Sequence, residues 1–133
     1  MDLYSRNWFR ALSWLLVLAY MGLIFWLSSL TVLPVAMRFP YEDKFIHAAA
    51  YAVMGFLAAN AFSEGPHKKR FWLAFMVASL YGISDEIHQA FVPGRDASVW
   101  DWCADTTGAW MGAYLYLKSE PVWRKSKRNP LPR

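Results

Sequence analysis

Long apolar runs alternate with short polar connections along the chain, and four such runs are present. They cover about residues 8–30, 44–62, 71–92 and 98–117. After Arg10 the first run contains no charged residue, and a bilayer core of about 30 Å needs roughly 20 such residues to be crossed by a helix. Lipid leaves no water to bond the backbone, so we predict a helix for each run.

The connections between these runs are short, and we therefore expect consecutive helices to be antiparallel neighbours. The predicted fold class is all-α: an integral membrane up-down bundle of four transmembrane helices. No linker or internal repeat divides the 133 residues, which predicts a single domain. Residues 118–133 are predicted to form a disordered basic tail near anionic lipid headgroups.

The composition agrees with a membrane protein. Hydrophobic residues make up 56% of the chain and charged residues only 18%, whereas soluble domains have about 25% charged residues. The net charge of +4 comes from clusters between the apolar runs and in the tail. That distribution suits a membrane surface and argues against nucleic acid. The single cysteine, Cys103, excludes an internal disulfide and a C-x-x-C motif.

Lysine and arginine are distributed unevenly between the two sides of the predicted bundle. Eleven of the 14 fall on the side that holds both termini. The three on the other side are Arg38, Lys44 and Arg95. The positive-inside rule therefore predicts a multi-pass protein of the inner (cytoplasmic) membrane with both termini in the cytoplasm.

Seven of the ten acidic residues fall at the opposite, extracytoplasmic end of the predicted bundle. They are Glu42, Asp43, Asp85, Glu86, Asp96, Asp101 and Asp105. A charge near the bilayer centre costs at least about 2.5–3.5 kcal/mol, so the deeper acids are expected to face inward. Asp85 and Glu86 are adjacent and cannot both be ionised comfortably in a low-dielectric pocket. One of them is expected to hold a proton, as a general acid does.

Helical spacing places further polar residues on the same inward faces. Asp43, His47 and Tyr51 recur at every fourth position of the second helix, with Lys44 at the edge of that face. Gln89 follows Asp85 by one turn in the third helix. Ser98, Asp101 and Asp105 form a stripe on the fourth helix, and Ser98 with Asp101 makes an S-x-x-D pattern typical of a helix cap.

Gly108 and Gly112 form a G-x-x-x-G pattern, which permits close approach of two helices. We predict that it packs against another helix of the same bundle. An oligomer formed through Gly108 and Gly112 is the less favoured alternative.

Two stretches, DKFIHAAAYAVMGF at 43–56 and SDEIHQAFVPGRDASVWDWCADTTGAWMG at 84–112, resemble the VanZ-like family of small bacterial membrane proteins. The family pattern D-K-x-x-H-x-x-x-Y is matched by Asp43, Lys44, His47 and Tyr51. The pattern D-E-x-x-Q-x-F-x-P-x-R and the S-x-x-D step are matched by Asp85, Glu86, Gln89, Phe91, Pro93, Arg95, Ser98 and Asp101. Asp105 stands where family members often have asparagine. The resemblance implies a link to resistance against the glycopeptide teicoplanin, which acts outside the membrane.

The first hypothesis is an enzyme that acts at the outer membrane face on a lipid-linked or cell-envelope substrate. Asp85 or Glu86 is the candidate acid/base residue and His47 a candidate proton carrier. Lys44 and Arg95 are candidates for holding an anionic headgroup such as phosphate. The other candidate substrate-binding residues are Asp43, Tyr51, Gln89, Ser98, Asp101 and Asp105.

Non-catalytic binding of an envelope lipid or lipoglycopeptide is the alternative, since it needs the same inward-facing polar pocket. A small transporter is a third hypothesis, which four helices and a single cluster disfavour. Polar residues that only satisfy one another inside the bundle are the structural alternative. No cofactor is predicted. A site that binds a divalent ion is a further alternative, and its ligands would come from Asp43, His47, Asp85, Glu86 and Asp101. Lys44 and Arg95 count against the ion because they would neutralise the acids.

Overall fold

A computed structural model describes residues 3–31 and 40–128 of the chain. Its helices are α1 (Leu3–Ser28), α2 (Glu42–Ala61), α3 (His67–Gln89) and α4 (Val99–Arg128). No strand occurs in the described ranges, so the predicted all-α fold with four helices is confirmed. Arg38, which entered the predicted orientation, lies outside the described residues.

The boundaries of the helices differ from the prediction mainly at the carboxyl end. Helix α4 continues to Arg128, so residues 118–128 are helical where a disordered tail was predicted, and 129–133 lie outside the described residues. Lysine, glutamate and arginine in this segment have high helix propensity. Helix α3 ends at Gln89, and the chain turns through Gly94, whose φ of 81° suits glycine.

The four helices run alternately up and down. Ser13, early in α1, accepts a hydrogen bond from Asn60, late in α2, at 3.0 Å. Arg70, early in α3, donates to Glu120, late in the described side chains of α4, at 2.6 Å. The starts of α2 and α4 therefore meet the ends of α1 and α3 at one end of the bundle, which we name the site end. We name the other end the far end.

Helix α2 lies at the centre of the bundle and contacts the other three helices, whereas α1 contacts α2 and α3 but not α4 over the described residues. Helix α2 approaches α4 closely because small residues of the two helices face each other. A Cβ added to Gly108 would collide with the backbone of Ala48, and one added to Gly112 with that of Ala52. The predicted packing of the G-x-x-x-G pattern within the bundle is confirmed.

The interior of the bundle contains many small and polar residues beside a few larger apolar ones such as Val17 and Met54, and much of its surface is apolar. The buried polar and charged residues are Ser28, Arg70, Ser79, Asp85, Glu86, Gln89, Asp101, Asp105 and Glu120. Large apolar side chains are instead exposed along every helix, for example Leu15, Phe45, Leu80 and Leu115. Such a distribution is the reverse of that in a water-soluble domain.

By length and composition, α1 is the one described helix that passes as a membrane span, with a mean hydropathy of 1.9 over Asn7–Ser28. The apolar runs of the other helices are interrupted by polar residues such as His47, Asp85 and Asp105, which lower their mean hydropathy. These same residues turn inward in the structure, so they contribute little to the outer surface. Hydropathy alone therefore identifies one span among four helices.

Arg70 holds the far end together. Only 2% of it is exposed, and its Nε donates to the carbonyl of Phe62, its Nη2 to that of Ala59 at 3.3 Å and its Nη1 to the carboxylate of Glu120. Ala59 and Phe62 lie at the carboxyl end of α2, where helix carbonyls lack partners within the helix. The sequence analysis counted Arg70 only as a topology signal in a connection.

Candidate functional site

The predicted site residues lie together at the site end, in two layers. The first lines a partly open cavity and consists of Asp43, His47, Tyr51, Asp85, Gln89 and Arg95. We name these residues the cavity layer. The remaining candidates do not line the cavity, and each of them bonds to another site residue on or beside α4. They are Lys44, Glu86, Ser98, Asp101 and Asp105. We name them the α4 layer.

The cavity has a volume of about 160 Å³, which equals the space of about five water molecules at ~30 Å³ each. Its lining combines the side chains of the cavity layer with apolar residues, among them Ile24 and Leu27 of α1 and Ile46 of α2, and most of the lining surface is apolar. The sequence analysis missed the contribution of α1. No signal marked it, because an apolar residue that lines a cavity looks like one that faces lipid.

Asp85 lies at the end of a chain of hydrogen bonds in the cavity layer. Its Oδ2 accepts from Gln89 Nε2 at 3.0 Å, and Gln89 Oε1 accepts from Arg95 at 3.0 Å. Its Oδ1 is buried and has no hydrogen-bond partner in the described part of the chain, and the same holds for the hydroxyl of Tyr51. Because buried polar atoms are normally bonded, two unpartnered atoms in this region call for an explanation.

Glu86 points away from the cavity and caps α4. Its Oε2 accepts the backbone N–H of Ser98 at 2.7 Å, directly before the first residue of α4. The S-x-x-D pattern predicted that Asp101 would be part of this cap. In the structure Asp101 instead pairs with Lys44 at 2.5 Å, and the carboxylate of a different helix takes its place at Ser98.

Lys44 connects the first turn of α2 to α4. Its Nζ lies 2.6 Å from Asp43 Oδ2 and 2.5 Å from Asp101 Oδ1. Asp43 lies in the first turn of α2 and accepts the hydrogen bond from Lys44. Lys44 therefore neutralises the outermost acids of the site.

His47 joins the two layers. It lines the cavity, and its Nδ1 lies 2.9 Å from Oδ1 of Asp105, which is completely buried. Asp105 packs against Gly82, where an added Cβ would lie 3.2 Å from Oδ2 of the carboxylate. His47, Glu86 and Asp105 each offer one ligand atom, and these atoms lie within 4.8 Å of one another. The three residues therefore have the spacing of a potential metal site.

His88, which had no predicted role, attaches α1 to α3 outside the cavity. Its Nε2 lies 2.9 Å from the hydroxyl of Ser29, and its ring stacks on Phe25 at a centroid distance of 4.3 Å. Two further hydrogen bonds hold α1, from Tyr20 to the Ala50 carbonyl at 3.0 Å and from Tyr81 to the Met21 carbonyl at 2.6 Å.

Comparison with known proteins gives one match. A family model described as VanZ/LLP1 matches residues 8–123, a range that contains every predicted site residue. No curated protein and no solved structure matches the chain.

Proposed function

The chain belongs to the VanZ-like family, and from this premise we propose that it is a multi-pass protein of the cytoplasmic membrane whose four helices all cross the bilayer. The exposed apolar side chains along every helix support this proposal. In water such a surface would be an extended apolar patch. In lipid it has a suitable solvent, while the polar interior supplies contacts between helices.

The proposed orientation has both termini in the cytoplasm and the site end outside. The exposed lysines of the described far end, Lys68, Lys69 and Lys118, support it under the positive-inside rule. The cations of the site end, Lys44 and Arg95, are both bonded to other side chains of the site. Contacts within the site therefore explain why these two cations lie at the site end.

At the site end we propose an enzyme that acts on a lipid-linked or cell-envelope substrate with an anionic headgroup. The observation that carries this proposal is the cavity, whose largely apolar lining also contains Asp85 and Arg95. The apolar lining suits a hydrocarbon chain, and a guanidinium suits a phosphate or carboxylate. The family resemblance adds the proposed link to teicoplanin resistance.

Asp85 is the proposed acid/base residue, because it lines the cavity with a free buried oxygen while Glu86 is bonded to Ser98. In this role it exchanges a proton with a hydroxyl group of the substrate or with water. His47 passes the proton onward, and Arg95 binds the headgroup. Lys44 has a positioning role, since both of its ion pairs join residues of the protein.

Non-catalytic binding of the same lipid is the second candidate. It is favoured by the mostly apolar lining of the cavity, to which Ile24, Leu27 and Ile46 contribute. A binding protein needs only such a lining and the side chains that hold the headgroup, whereas an enzyme also needs the proton transfer assigned to Asp85.

The test compares cells that express the wild type, Asp85→Asn, Arg95→Gln and the control Asp96→Asn, whose carboxylate is exposed beside the site. The measurements are the envelope lipid composition and native mass spectrometry of the purified protein. We expect the wild type to alter one phosphate-bearing lipid, Asp85→Asn to retain that lipid without altering it, and Arg95→Gln to lose it.

Each outcome has a defined meaning. Lipid retained by the wild type with an unchanged envelope composition would replace the enzyme by the binding protein. A wild type that retains no anionic lipid and changes none would overturn both candidates. An effect of Asp96→Asn equal to that of Asp85→Asn would remove the special role of the cavity.

A further inference from the structure

We propose that His47, Glu86 and Asp105 bind one divalent transition-metal ion of the Mn²⁺ or Zn²⁺ class beside the cavity, behind the part of its lining that His47 forms. The inference deepens the proposed function and rests on it, and it makes His47 a metal ligand in place of a proton carrier.

The spacing of the ligand atoms fits a single ion. His47 Nδ1 is hydrogen-bonded to Asp105 Oδ1 at 2.9 Å, so the atoms of this pair that remain for an ion are Nε2 of the imidazole and Oδ2 of the carboxylate. One ligand atom from each of the three residues lies within 4.8 Å of the others, and a contraction of about 0.6 Å brings them to about 4.2 Å, the span across an ion.

Two unpartnered oxygens provide an independent indication of a ligand. Asp105 Oδ2 and Glu86 Oε1 are both buried without a hydrogen-bond partner in the described ranges, in residues that are 0% and 8% exposed. The other oxygen of each carboxylate is fixed by the protein, that of Asp105 by His47 and that of Glu86 by the Ser98 N–H. Metal ligands are commonly held in this way, with one atom positioned and the other free.

The charge of the site also favours a cation. Asp85, Glu86 and Asp105 are all buried; within residues 40–128 no lysine or arginine pairs with any of them, and the imidazole of His47 pairs with Asp105 alone. Lys44 pairs with Asp43 and Asp101, and the bond that Arg95 donates goes to the amide of Gln89. Lys44 and Arg95 therefore do not neutralise these three carboxylates. Buried charges require a compensating partner, and a divalent ion supplies one.

The donor set indicates the class of ion. One imidazole with two carboxylates suits Zn²⁺ or Mn²⁺, whereas Mg²⁺ prefers oxygen ligands in an octahedron that keeps several waters. No thiolate is involved, since Cys103 is exposed and outside the group. Three protein ligands leave positions for water and for a headgroup oxygen, as in catalytic metal sites.

The test uses the full chain, purified in detergent, depleted of metal with EDTA and reloaded with MnCl₂ or ZnCl₂. Bound metal is counted by elemental mass spectrometry, and bound Mn²⁺ is identified by electron paramagnetic resonance. We expect about one ion per chain and at least tenfold weaker binding in Glu86→Gln and in Asp105→Asn. Both replacements keep the side-chain shape and can still accept the existing hydrogen bonds. Asp96→Asn is the matched control and should bind like the wild type.

Metal content in the wild type no higher than in a detergent blank would overturn the inference, as would unchanged binding in both correctly folded variants. Either result together with an altered lipid composition would leave the proposed enzyme in place without an ion. Metal binding together with unaltered envelope lipids would overturn the proposed enzyme alone.

Discussion

At the residue scale, Asp85 and Glu86 differ because successive residues of a helix point about 100° apart. Asp85 faces the cavity, whereas Glu86 faces the start of α4 and accepts the Ser98 N–H. Their separate surroundings lead to separate predictions.

For Asp85→Asn we expect an unchanged fold with loss of the effect on envelope lipids. An asparagine oxygen can still accept the hydrogen bond from Gln89, so the change in thermal stability in detergent should stay below about 1 kcal/mol. A large loss of stability would show that Asp85 acts mainly in packing.

Glu86→Ala should instead destabilise the protein, because the Ser98 N–H at the start of α4 loses its acceptor. The expected loss in free energy of unfolding is about 1–3 kcal/mol. It can be measured by denaturant titration in detergent, with Glu64→Ala at the exposed far end as the control. Equal stability of the two variants would contradict the capping role.

At the element scale, the contact between α2 and α4 depends on glycine. Gly112→Ala should destabilise the bundle by about 1–3 kcal/mol or more, since the new methyl group meets the backbone of Ala52, which cannot rotate away. Gly22→Ala in α1 is the matched control, because its Cβ meets nothing within 4 Å. The measurement is the thermal midpoint in detergent, and an equal effect of the two variants would refute the close contact.

The far end depends on Arg70, which joins the end of α2 to α4. Replacing Arg70 removes its cation from the carboxylate of Glu120. Arg70→Met should cost about 3–5 kcal/mol, as is typical when a buried ion pair loses one partner. The exposed neighbour Lys69 gives the control Lys69→Met, and the same denaturant titration measures both. If Arg70→Met were as stable as Lys69→Met, the ion pair would have no structural importance.

At the scale of the whole molecule, the proposed topology can be tested by labelling. In a Cys103→Ser background, Asp96→Cys should react in intact cells with a maleimide that does not cross membranes. Glu64→Cys should react only after the cells are opened, since Glu64 lies at the far end. The reverse pattern would invert the proposed orientation.

The sequence predicted most of the helices and the gathering of acids at one end, because i, i+4 spacing shows which polar residues share a helix face. It did not predict the division into two layers, since the direction in which Glu86 turns depends on where α4 lies. The burial of Arg70 was missed because two of its partners are backbone carbonyls, which carry no sequence signal, and the third, Glu120, lies 50 residues away along the chain. The inward polar residues also lowered the mean hydropathy of α2, α3 and α4. An average over a whole helix therefore hid the apolar outer face that the spacing of the polar residues reveals.

Because α1 contributes residues to the lining of the cavity, its position affects how a substrate can enter the site. Helices α2, α3 and α4 form a frame joined by buried pairs, whereas α1 is held by side-chain hydrogen bonds and by the burial of Val17 and Ile24, and it does not touch α4 over the described residues. If α1 swings aside, the frame and its acids stay in place. A lipid can then slide in laterally from the bilayer, with its headgroup among the acids and its tail never leaving the membrane. In such a molecule, movement of α1 would admit the substrate, while α2, α3 and α4 would keep the site residues in position.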